Sequence, residues 1–324
     1  MKPLRVVEVF GLSPLRTRLS EAALALRGDA QTPKSRFGFS SLRMFRPRMA
    51  LPLWAGRPAH GRLVPIYNLY SYAQPPPEEG WSVRVTSARD FLGTQLTYDS
   101  HNGTDFAVPV GTSVVAAAPG VVRRVSTEFH RGGLKVFIDH GEGLVTTSNH
   151  LGRALVRPGD RVRRGDPIAV SAYSGIDGLT TFPFGAPHVH FNVWLDGEYV
   201  DPFAVTGETP LWRNGNWPVP CGANDRDEAL APPTAWDRDA LTRTLASCRH
   251  AATLREIEAI ADDDERAMAV VFHRNYFPTR FAERPALVTR RNARRPRLDL
   301  PFRADDFDGV FFPHGVEPRR APAL

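Results

Sequence analysis

The chain has 324 residues, of which 42% are hydrophobic, 10% aromatic and 23% charged. This composition is typical of ordinary soluble globular proteins and excludes the disordered, collagen-like and membrane-spanning classes. The formal net charge of +6 comes almost entirely from arginine, because Lys2, Lys34 and Lys135 are the only lysines. Such a charge favours polyanions in general without selecting one of them.

The first part of the chain, residues 1–84, is rich in arginine and proline and ends in the linker-like sequence Pro-Pro-Pro-Glu-Glu-Gly at 75–80. Charged residues interrupt every stretch that could serve as the apolar core of a signal peptide. The sequence alone therefore predicts no signal peptide and a cytoplasmic location. It also predicts no transmembrane segment, since no run approaches the roughly 18 to 20 apolar residues that span a bilayer.

The middle part, residues 85–205, consists of short apolar runs separated by glycine turns. Closely spaced short strands with turn signals between them are typical of a sandwich or barrel. We therefore expect an antiparallel β core of sandwich or barrel-like form. The predicted strands are 108–117, 120–125, 134–138, 144–147 and 188–195.

The last part, residues 206–324, is predicted to be a partly helical extension. Leu241, Leu245, Cys248 and Ala252 follow the helical period, with Thr234 or Asp237 as a candidate cap. A second helix is expected to start near Asp262, where four acidic residues in succession suit the positive end of a helix dipole. The fold class is thus mainly β, with an irregular N-terminal segment and a helical C-terminal extension.

Two short motifs in the middle part carry candidate metal ligands. His101 and Asp105 flank an Asn-Gly pair that readily forms a tight turn, which would bring both side chains to one metal. His188 and His190 open an apolar strand, and their side chains lie on the same face because strand side chains alternate. Taken separately, each motif also fits a surface turn or an exposed histidine pair.

Together, His101, Asp105 and His190 supply two imidazoles and one carboxylate, a common catalytic zinc set that leaves a fourth position open for water. Zinc lowers the pKa of such a water towards about 7. We assign His188 as the general base that acts on this water, since histidine can titrate near neutral pH. His150 then hydrogen-bonds the water or stabilises the oxyanion, although the two roles can be exchanged.

The order of these motifs resembles the M23 zinc metallopeptidases, the LytM or lysostaphin type. The resemblance covers about residues 97–203 and includes the glycine-valine pattern at 156–169 and the closing sequence at 196–202. It implies an antiparallel β fold with a groove, one Zn²⁺ per chain, and endopeptidase action on peptidoglycan peptides. By position, the family's metal ligands fall on His101, Asp105 and His190, and its catalytic histidines on His150 and His188.

Three features depart from the family pattern. Asn192 stands where glutamate is usual, Ser148 and Asn149 precede His150 in place of an aromatic and a small residue, and the loop 178–186 is longer than usual. These changes affect the walls of the expected groove more than the metal ligands. The family also implies a cell-envelope location, in conflict with the absence of an export signal.

Two other functions compete with a peptidase. The pattern at 156–168 also resembles biotinyl and lipoyl domains, but those domains need a lysine on an exposed hairpin, and Lys135 lies outside the pattern. Alternatively, the chain is a zinc-binding but catalytically latent regulatory or interaction protein, with its groove blocked by the N-terminal segment or the C-terminal helices. The basic clusters at 43–48, 161–164 and 290–297 lack the interleaved aromatic pattern of a platform for single-stranded nucleic acid, so we expect no nucleic-acid partner. The family resemblance implies a peptide substrate.

Overall fold

The computed structural model describes residues 2–222 and 228–313. Its strands are β1 (Leu63–Asn68), β2 (Thr104–Ala107), β3 (Ser113–Val115), β4 (Gly120–Glu128), β5 (Gly133–Asp139), β6 (Leu144–Ala154), β7 (Arg161–Val162), β8 (Pro167–Ser171), β9 (His188–Leu195), β10 (Glu198–Tyr199), β11 (Pro220–Cys221), β12 (Leu300–Arg303) and β13 (Gly309–Phe311). Its α-helices are α1 (Val6–Val9), α2 (Leu15–Arg27), α3 (Pro47–Trp54), α4 (Ile176–Thr181), α5 (Arg238–Ala246), α6 (Ala251–Glu258) and α7 (Asp263–Tyr276).

One large sheet dominates the fold. Its strands follow the order β13-β1-β2-β9-β6-β5-β4-β7, while β8 pairs with both β3 and β6. β13 runs parallel to β1. Every other pair of neighbours in this order, from β1 and β2 to β4 and β7, is antiparallel. The predicted mainly β, antiparallel core is confirmed.

Most of the predicted strands are present. The runs at 120–125, 134–138, 144–147 and 188–195 correspond to β4, β5, β6 and β9. The prediction of a continuous strand over 108–117 is wrong, because only Ser113–Val115 is extended there. A turn precedes that strand, with Gly111 at a φ of 95° that other residues rarely adopt.

The alternation of side chains in β9 determines what lies on each side of the sheet. Val189, Phe191 and Val193 point into the main hydrophobic core. His188 and His190 occupy the opposite face, as the period of two requires. β9 is thus buried on both faces, with apolar side chains packed into the core on one face and the two histidines on the other.

The N-terminal segment has more regular structure than the irregular segment expected from its sequence. Strand β1 pairs with β2, with Ile66 opposite Phe106 and Asn68 opposite Asp105. The apolar run 63–67 thus extends the central sheet. The division at residues 84 and 205 stays a prediction.

The C-terminal extension is partly helical in the structure. The predicted helix near Asp262 is α7, and the Asp262 carboxylate accepts a hydrogen bond from the Glu265 N–H at 2.8 Å. The predicted helical stripe is divided between α5 and α6, and Cys248 lies between them in a bridge to Phe281. Among the described residues, no helix has the length and apolar character needed to cross a membrane.

Candidate active site

The metal-ligand candidates come from a turn and two neighbouring strands. Asp105 on β2 lies directly opposite His190 on β9. His101 precedes β2, and the chain turns between them through Gly103. A Cβ atom on Gly103 would stand 2.7 Å from the Phe191 carbonyl oxygen and 2.8 Å from the His190 ring, so only glycine fits here. The predicted Asn-Gly turn thus brings His101 and Asp105 against β9.

The three side chains converge on one point. Nε2 of His101 lies 3.0 Å from Oδ1 of Asp105 and 3.1 Å from Nδ1 of His190. Nδ1 of His190 lies 2.7 Å from the same Asp105 oxygen. These side chains form a buried group that could hold a metal ion, with ligand atoms within 4.8 Å of one another.

Hydrogen bonds behind the imidazoles orient their ligand atoms. Nδ1 of His101 lies 2.6 Å from the Leu69 carbonyl oxygen and donates to it, which leaves the lone pair on Nε2. Nε2 of His190 has two possible partners, the Asn102 Oδ1 at 3.2 Å as an acceptor and the Asn192 Nδ2 at 2.9 Å as a donor. Donation to Asn102 leaves Nδ1 of His190 unprotonated and able to bind a metal.

The donor set fits a cation. His101 Nε2 and Asp105 Oδ1 both present lone pairs, and two acceptors 3.0 Å apart in a buried site repel one another unless positive charge lies between them. Two imidazoles and a carboxylate are ligands that zinc accepts. The residues present therefore satisfy the chemical requirement of a catalytic zinc site.

Asp105 is held in its ionised form and in a fixed orientation. Burial raises the pKa of its carboxyl, but the neighbouring His101 and His188 imidazoles outweigh burial and hold the pKa well below its usual range. Its other oxygen, Oδ2, accepts a hydrogen bond from Nδ2 of Asn68 at 2.7 Å. Asn68 lies on β1, so a residue of the N-terminal segment supports the candidate ligand.

The two predicted catalytic histidines lie beside this group. The ring centroids of His150 and His188 are 4.7 Å apart, and Nε2 of His188 is 3.5 Å from Oδ1 of Asp105. Nδ1 of His188 is 2.8 Å from the Ala186 carbonyl oxygen, and Nδ1 of His150 is 2.8 Å from that of Ser174. Donation to these carbonyls leaves Nε2 of each ring as a proton acceptor.

Burial lowers the pKa of two imidazoles of the site, those of His150 and His190. It lowers the pKa of His190 to about 4, against the raising effect of Asp105. It also holds the pKa of His150 well below its ordinary value, and the neighbouring His188 lowers that pKa further. His150 adopts a φ of 60°, which is unusual for a residue other than glycine and is commonly retained at functional sites.

A cavity of about 350 Å³ leads to the site, with His150 and His190 in its wall. The N-terminal segment contributes much of the opposite lining, including Ser35, Phe37 and Met44. Helix α4 adds Ile176 and Thr180. Thr180 and Thr181 of the loop 178–186 thus lie in the wall of the cavity, and the effect of this loop on the groove stays a prediction.

Several supporting residues were absent from the sequence-based expectations. Asn192 was noted only as a departure, yet it donates from Nδ2 to the Asn102 carbonyl oxygen at 2.8 Å and accepts from Nδ2 of Asn149 at 2.9 Å. Strand alternation could have identified Asn192, because it follows His190 by two positions on the same face. Tyr173, whose ring centroid lies 4.7 Å from that of His188, had no comparable signal.

Comparison with known proteins finds a family match in the middle part of the chain. Residues 99–202 match the family model described as Peptidase family M23. The resemblance of this segment to peptidase family M23 is confirmed. The M23 segment contains His101, Asp105, His150, His188 and His190, so all five predicted positions lie inside it.

The M23 segment is similar to peptidoglycan enzymes. It is 39% identical over 112 residues to the peptidoglycan DD-endopeptidase ShyA of Vibrio cholerae, a match that covers 34% of this chain and 24% of that protein. It is 34% identical over 116 residues to the DD-carboxypeptidase/endopeptidase Mpg of Neisseria meningitidis, covering 35% of this chain and 24% of that protein. The chain spans about a quarter of the length of these curated relatives.

A solved structure is also similar to this chain. It is a zinc-containing peptidase from Vibrio cholerae, with 26% sequence identity and a TM-score of 0.32. The match covers 45% of this chain and 41% of that one.

Proposed function

We propose that this protein is a zinc-dependent metalloendopeptidase that hydrolyses peptide bonds in peptidoglycan cross-links. The observation that carries the proposal is the convergence of His101, Asp105 and His190, with ligand atoms within 4.8 Å of one another, beside His150 and His188. The match of residues 99–202 to the model of peptidase family M23 supports peptide hydrolysis. The names of the relatives, a peptidoglycan DD-endopeptidase and a DD-carboxypeptidase/endopeptidase, support peptidoglycan as the substrate.

His101 through Nε2, Asp105 through Oδ1 and His190 through Nδ1 would hold one Zn²⁺ per chain. When bound there, zinc would supply Lewis acidity that lowers the pKa of a water towards about 7 and polarises the scissile carbonyl. The remaining chemistry, the movement of protons, belongs to the side chains of the protein.

His188 is assigned the role of general base. Its Nδ1 is occupied by the Ala186 carbonyl at 2.8 Å, so Nε2 takes the proton from the attacking water. The resulting imidazolium returns that proton to the leaving amine. Asp105 stabilises the charged form of the ring, since Nε2 lies 3.5 Å from its Oδ1.

His150 is assigned to the oxyanion or to the orientation of the water. Its Nδ1 is fixed by the Ser174 carbonyl, and its ring packs against Tyr173 at a centroid distance of 5.2 Å. Both Tyr173 and His150 are buried, so the site excludes bulk water and strengthens electrostatic interactions with the substrate. The geometry also accommodates the exchange of roles between His150 and His188.

The proposed substrate places the protein at the cell envelope during its action. Free amino groups released from purified peptidoglycan, together with mass spectrometry of the released peptides, test the proposal directly. We expect new amino groups from peptidoglycan and none from casein. Substitution of His188→Ala should lower the rate by about 10²- to 10⁴-fold, the usual contribution of a general acid-base group.

His60→Ala is the matched control, because His60 is exposed and stacks on Phe311 outside the site. This variant should keep the wild-type rate. Hydrolysis by the His188→Ala protein at the wild-type rate would contradict the assignment of the base.

A second candidate function is a latent, zinc-binding M23-like regulatory or interaction protein. It is favoured by the burial of the site, since each of the five predicted residues is 5% exposed or less. It is also favoured by the position of Ser35 and Met44 in the wall of the cavity. Stoichiometric zinc without hydrolysis of peptidoglycan would support this candidate and contradict the endopeptidase.

A further inference from the structure

Arg131 lies close to the candidate active site, in the turn between β4 and β5. It lines the same cavity as His150 and His190. The next residue, Gly132, accepts a hydrogen bond through its carbonyl from the backbone N–H of His150 at 2.7 Å. The turn that carries Arg131 is therefore directly attached to one of the two proposed catalytic histidines.

The guanidinium of Arg131 is buried without a counterion. The residue is 7% exposed, and no carboxylate among the described residues lies within 4.0 Å of it. Nη1 of Arg131 donates hydrogen bonds to the backbone carbonyl oxygen of the preceding residue, His130, at 2.8 Å and to Oγ of Ser35 at 3.3 Å. Nε is buried and has no hydrogen-bond partner in the described part of the chain.

This unpaired charge needs an explanation. A buried, uncompensated charge is costly, so buried arginines usually face a carboxylate or another anion. Burial lowers the pKa of Arg131 to about 10, which still leaves the side chain protonated at neutral pH. Asp177 lines the same cavity but forms no ion pair with Arg131 within 4.0 Å.

Aromatic rings hold the guanidinium in place. Its carbon atom Cζ lies 5.3 Å from the ring centroid of Trp81 and 5.7 Å from that of Phe277. A guanidinium that faces aromatic rings keeps its N–H donors, which lie in the guanidinium plane, available for hydrogen bonds. The donor is thus preorganised for a planar anion, to which arginine binds in a forked, two-bond geometry.

We propose that Arg131 binds a free carboxylate of the substrate and so selects peptides that carry this group close to the scissile bond. The proposal rests on the peptidase function proposed above and names a feature of its substrate. The cavity of about 350 Å³ lies at the small end of ligand pockets, so a carboxylate bound at Arg131 belongs to a residue near the hydrolysed bond. When a peptidase hydrolyses the bond before a C-terminal residue, the residue that it releases carries such a carboxylate.

Paired substrates test the proposal. The probes are diacetyl-L-lysyl-D-alanyl-D-alanine and its C-terminal carboxamide, which differ only in the negative charge. Wild-type, zinc-loaded protein should cleave the acid with a kcat/KM about 10- to 100-fold higher than the amide, as expected for loss of a charge-assisted hydrogen bond. Arg131→Gln should lower kcat/KM for the acid until it equals that of the amide in the same variant, so that the preference is lost.

Two further variants separate recognition from folding. Arg131→Lys keeps the charge without the fork and should recover part of the preference for the acid. Arg280→Gln is the matched control, because Arg280 is equally buried and lies over the ring of Phe277 at 4.0 Å but does not line the cavity. The preference of this control for the acid should equal that of the wild type, whereas a preference that persists in Arg131→Gln would overturn the proposal.

A binding measurement distinguishes this proposal from the proposed function. Calorimetric titration of both probes into His188→Ala protein, with and without Arg131→Gln, reports recognition without turnover. Tighter binding of the acid that depends on Arg131 supports the proposal, even if peptidoglycan is not hydrolysed. Equal binding of acid and amide, or binding of neither, would overturn it, even if the wild type hydrolyses peptidoglycan.

Discussion

Asn68 provides a sharp test of how the candidate metal site is held. It lies on β1, outside the M23 segment 99–202, yet its Nδ2 donates to Oδ2 of Asp105 at 2.7 Å. Both side chains are buried, so water cannot replace this hydrogen bond without entering the site. We predict that Asn68→Ala weakens zinc binding while the fold is retained.

The magnitude follows from the charge on the acceptor. A hydrogen bond to a charged group contributes about 1.5–3 kcal/mol, and each 1.4 kcal/mol corresponds to about a factor of ten in affinity. Loss of partners behind metal ligands typically lowers metal affinity by about 10- to 100-fold. The two lines of reasoning agree, so the dissociation constant for zinc should rise by about 10- to 100-fold.

Zinc affinity is measured by competition with a chromophoric chelator, with circular dichroism to monitor the fold. Asn216→Ala is the matched control, because the side chain of Asn216 exchanges hydrogen bonds with the backbone of Ala204, at 2.8 and 2.9 Å, away from the candidate site. The control should keep wild-type zinc affinity. Folded Asn68→Ala protein with unchanged zinc affinity would refute the argument that Asn68 orients Asp105 as a ligand.

Three other predictions concern stability. Free zinc at about 100 times its dissociation constant should stabilise the wild type by about 2.7 kcal/mol in thermal or urea unfolding. His101→Ala should abolish this stabilisation. An equal stabilisation of the variant would show that zinc binds elsewhere. Burial lowers the pKa of His140 to about 3, so the unfolded chain binds a proton below about pH 6.5 that the folded chain does not. The free energy of unfolding should therefore fall by about 1.4 kcal/mol for each pH unit as the pH decreases between these two values. Urea unfolding of His140→Asn at several pH values should give a shallower dependence of this free energy on pH. An identical dependence in the variant and the wild type would contradict the lowered pKa of His140. The Lys135 ammonium is fully buried and donates to Oε2 of Glu128 at 2.5 Å, while Arg124 lies 3.4 Å from the other oxygen of that carboxylate. Lys135→Met should therefore cost about 1.5–3 kcal/mol in urea unfolding, the contribution of one hydrogen bond to a charged group, and a loss below about 1 kcal/mol would show that Arg124 compensates Glu128 by itself.

The sequence predicted the parts of the fold that follow from local pattern. Strand β9 was predicted with its observed bounds, 188–195, because apolar and polar residues alternate along it. The Asn-Gly pair predicted a change of chain direction between His101 and Asp105, and the structure has a bend at Gly103, which lies tightly against β9. The five candidate residues could be grouped in advance because the motifs at 101–105 and 188–190, together with His150, occur in the order that resembles the M23 family.

The remaining contacts depend on long-range packing, for which the sequence has no local signal. Asn68 contacts Asp105 across 37 positions, and its strand lies in the segment that the sequence predicted to be irregular. The groups that orient His101, His150 and His188 are backbone carbonyls, and any residue type can supply a carbonyl. Their role becomes visible only when the strands are assembled.

The position of Arg131 illustrates the same limit. In the sequence it is one of many arginines, most of which are expected to lie on a solvated surface. Its burial between Trp81 and Phe277 depends on a residue from the N-terminal segment and another from beyond α7. Composition predicted a general preference for anions, whereas the fold shows that the guanidinium of Arg131 lies in the wall of the cavity beside the site.

The most direct test of the central claim combines zinc content and turnover on the same protein preparations. Wild-type, His188→Ala and His101→Ala proteins are loaded with zinc, dialysed, assayed for bound metal, and incubated with purified peptidoglycan. We predict one zinc and hydrolysis for the wild type, one zinc without hydrolysis for His188→Ala, and loss of both for His101→Ala. Zinc retained at wild-type affinity in His101→Ala, or peptidoglycan hydrolysis by that variant, would contradict the account of the site.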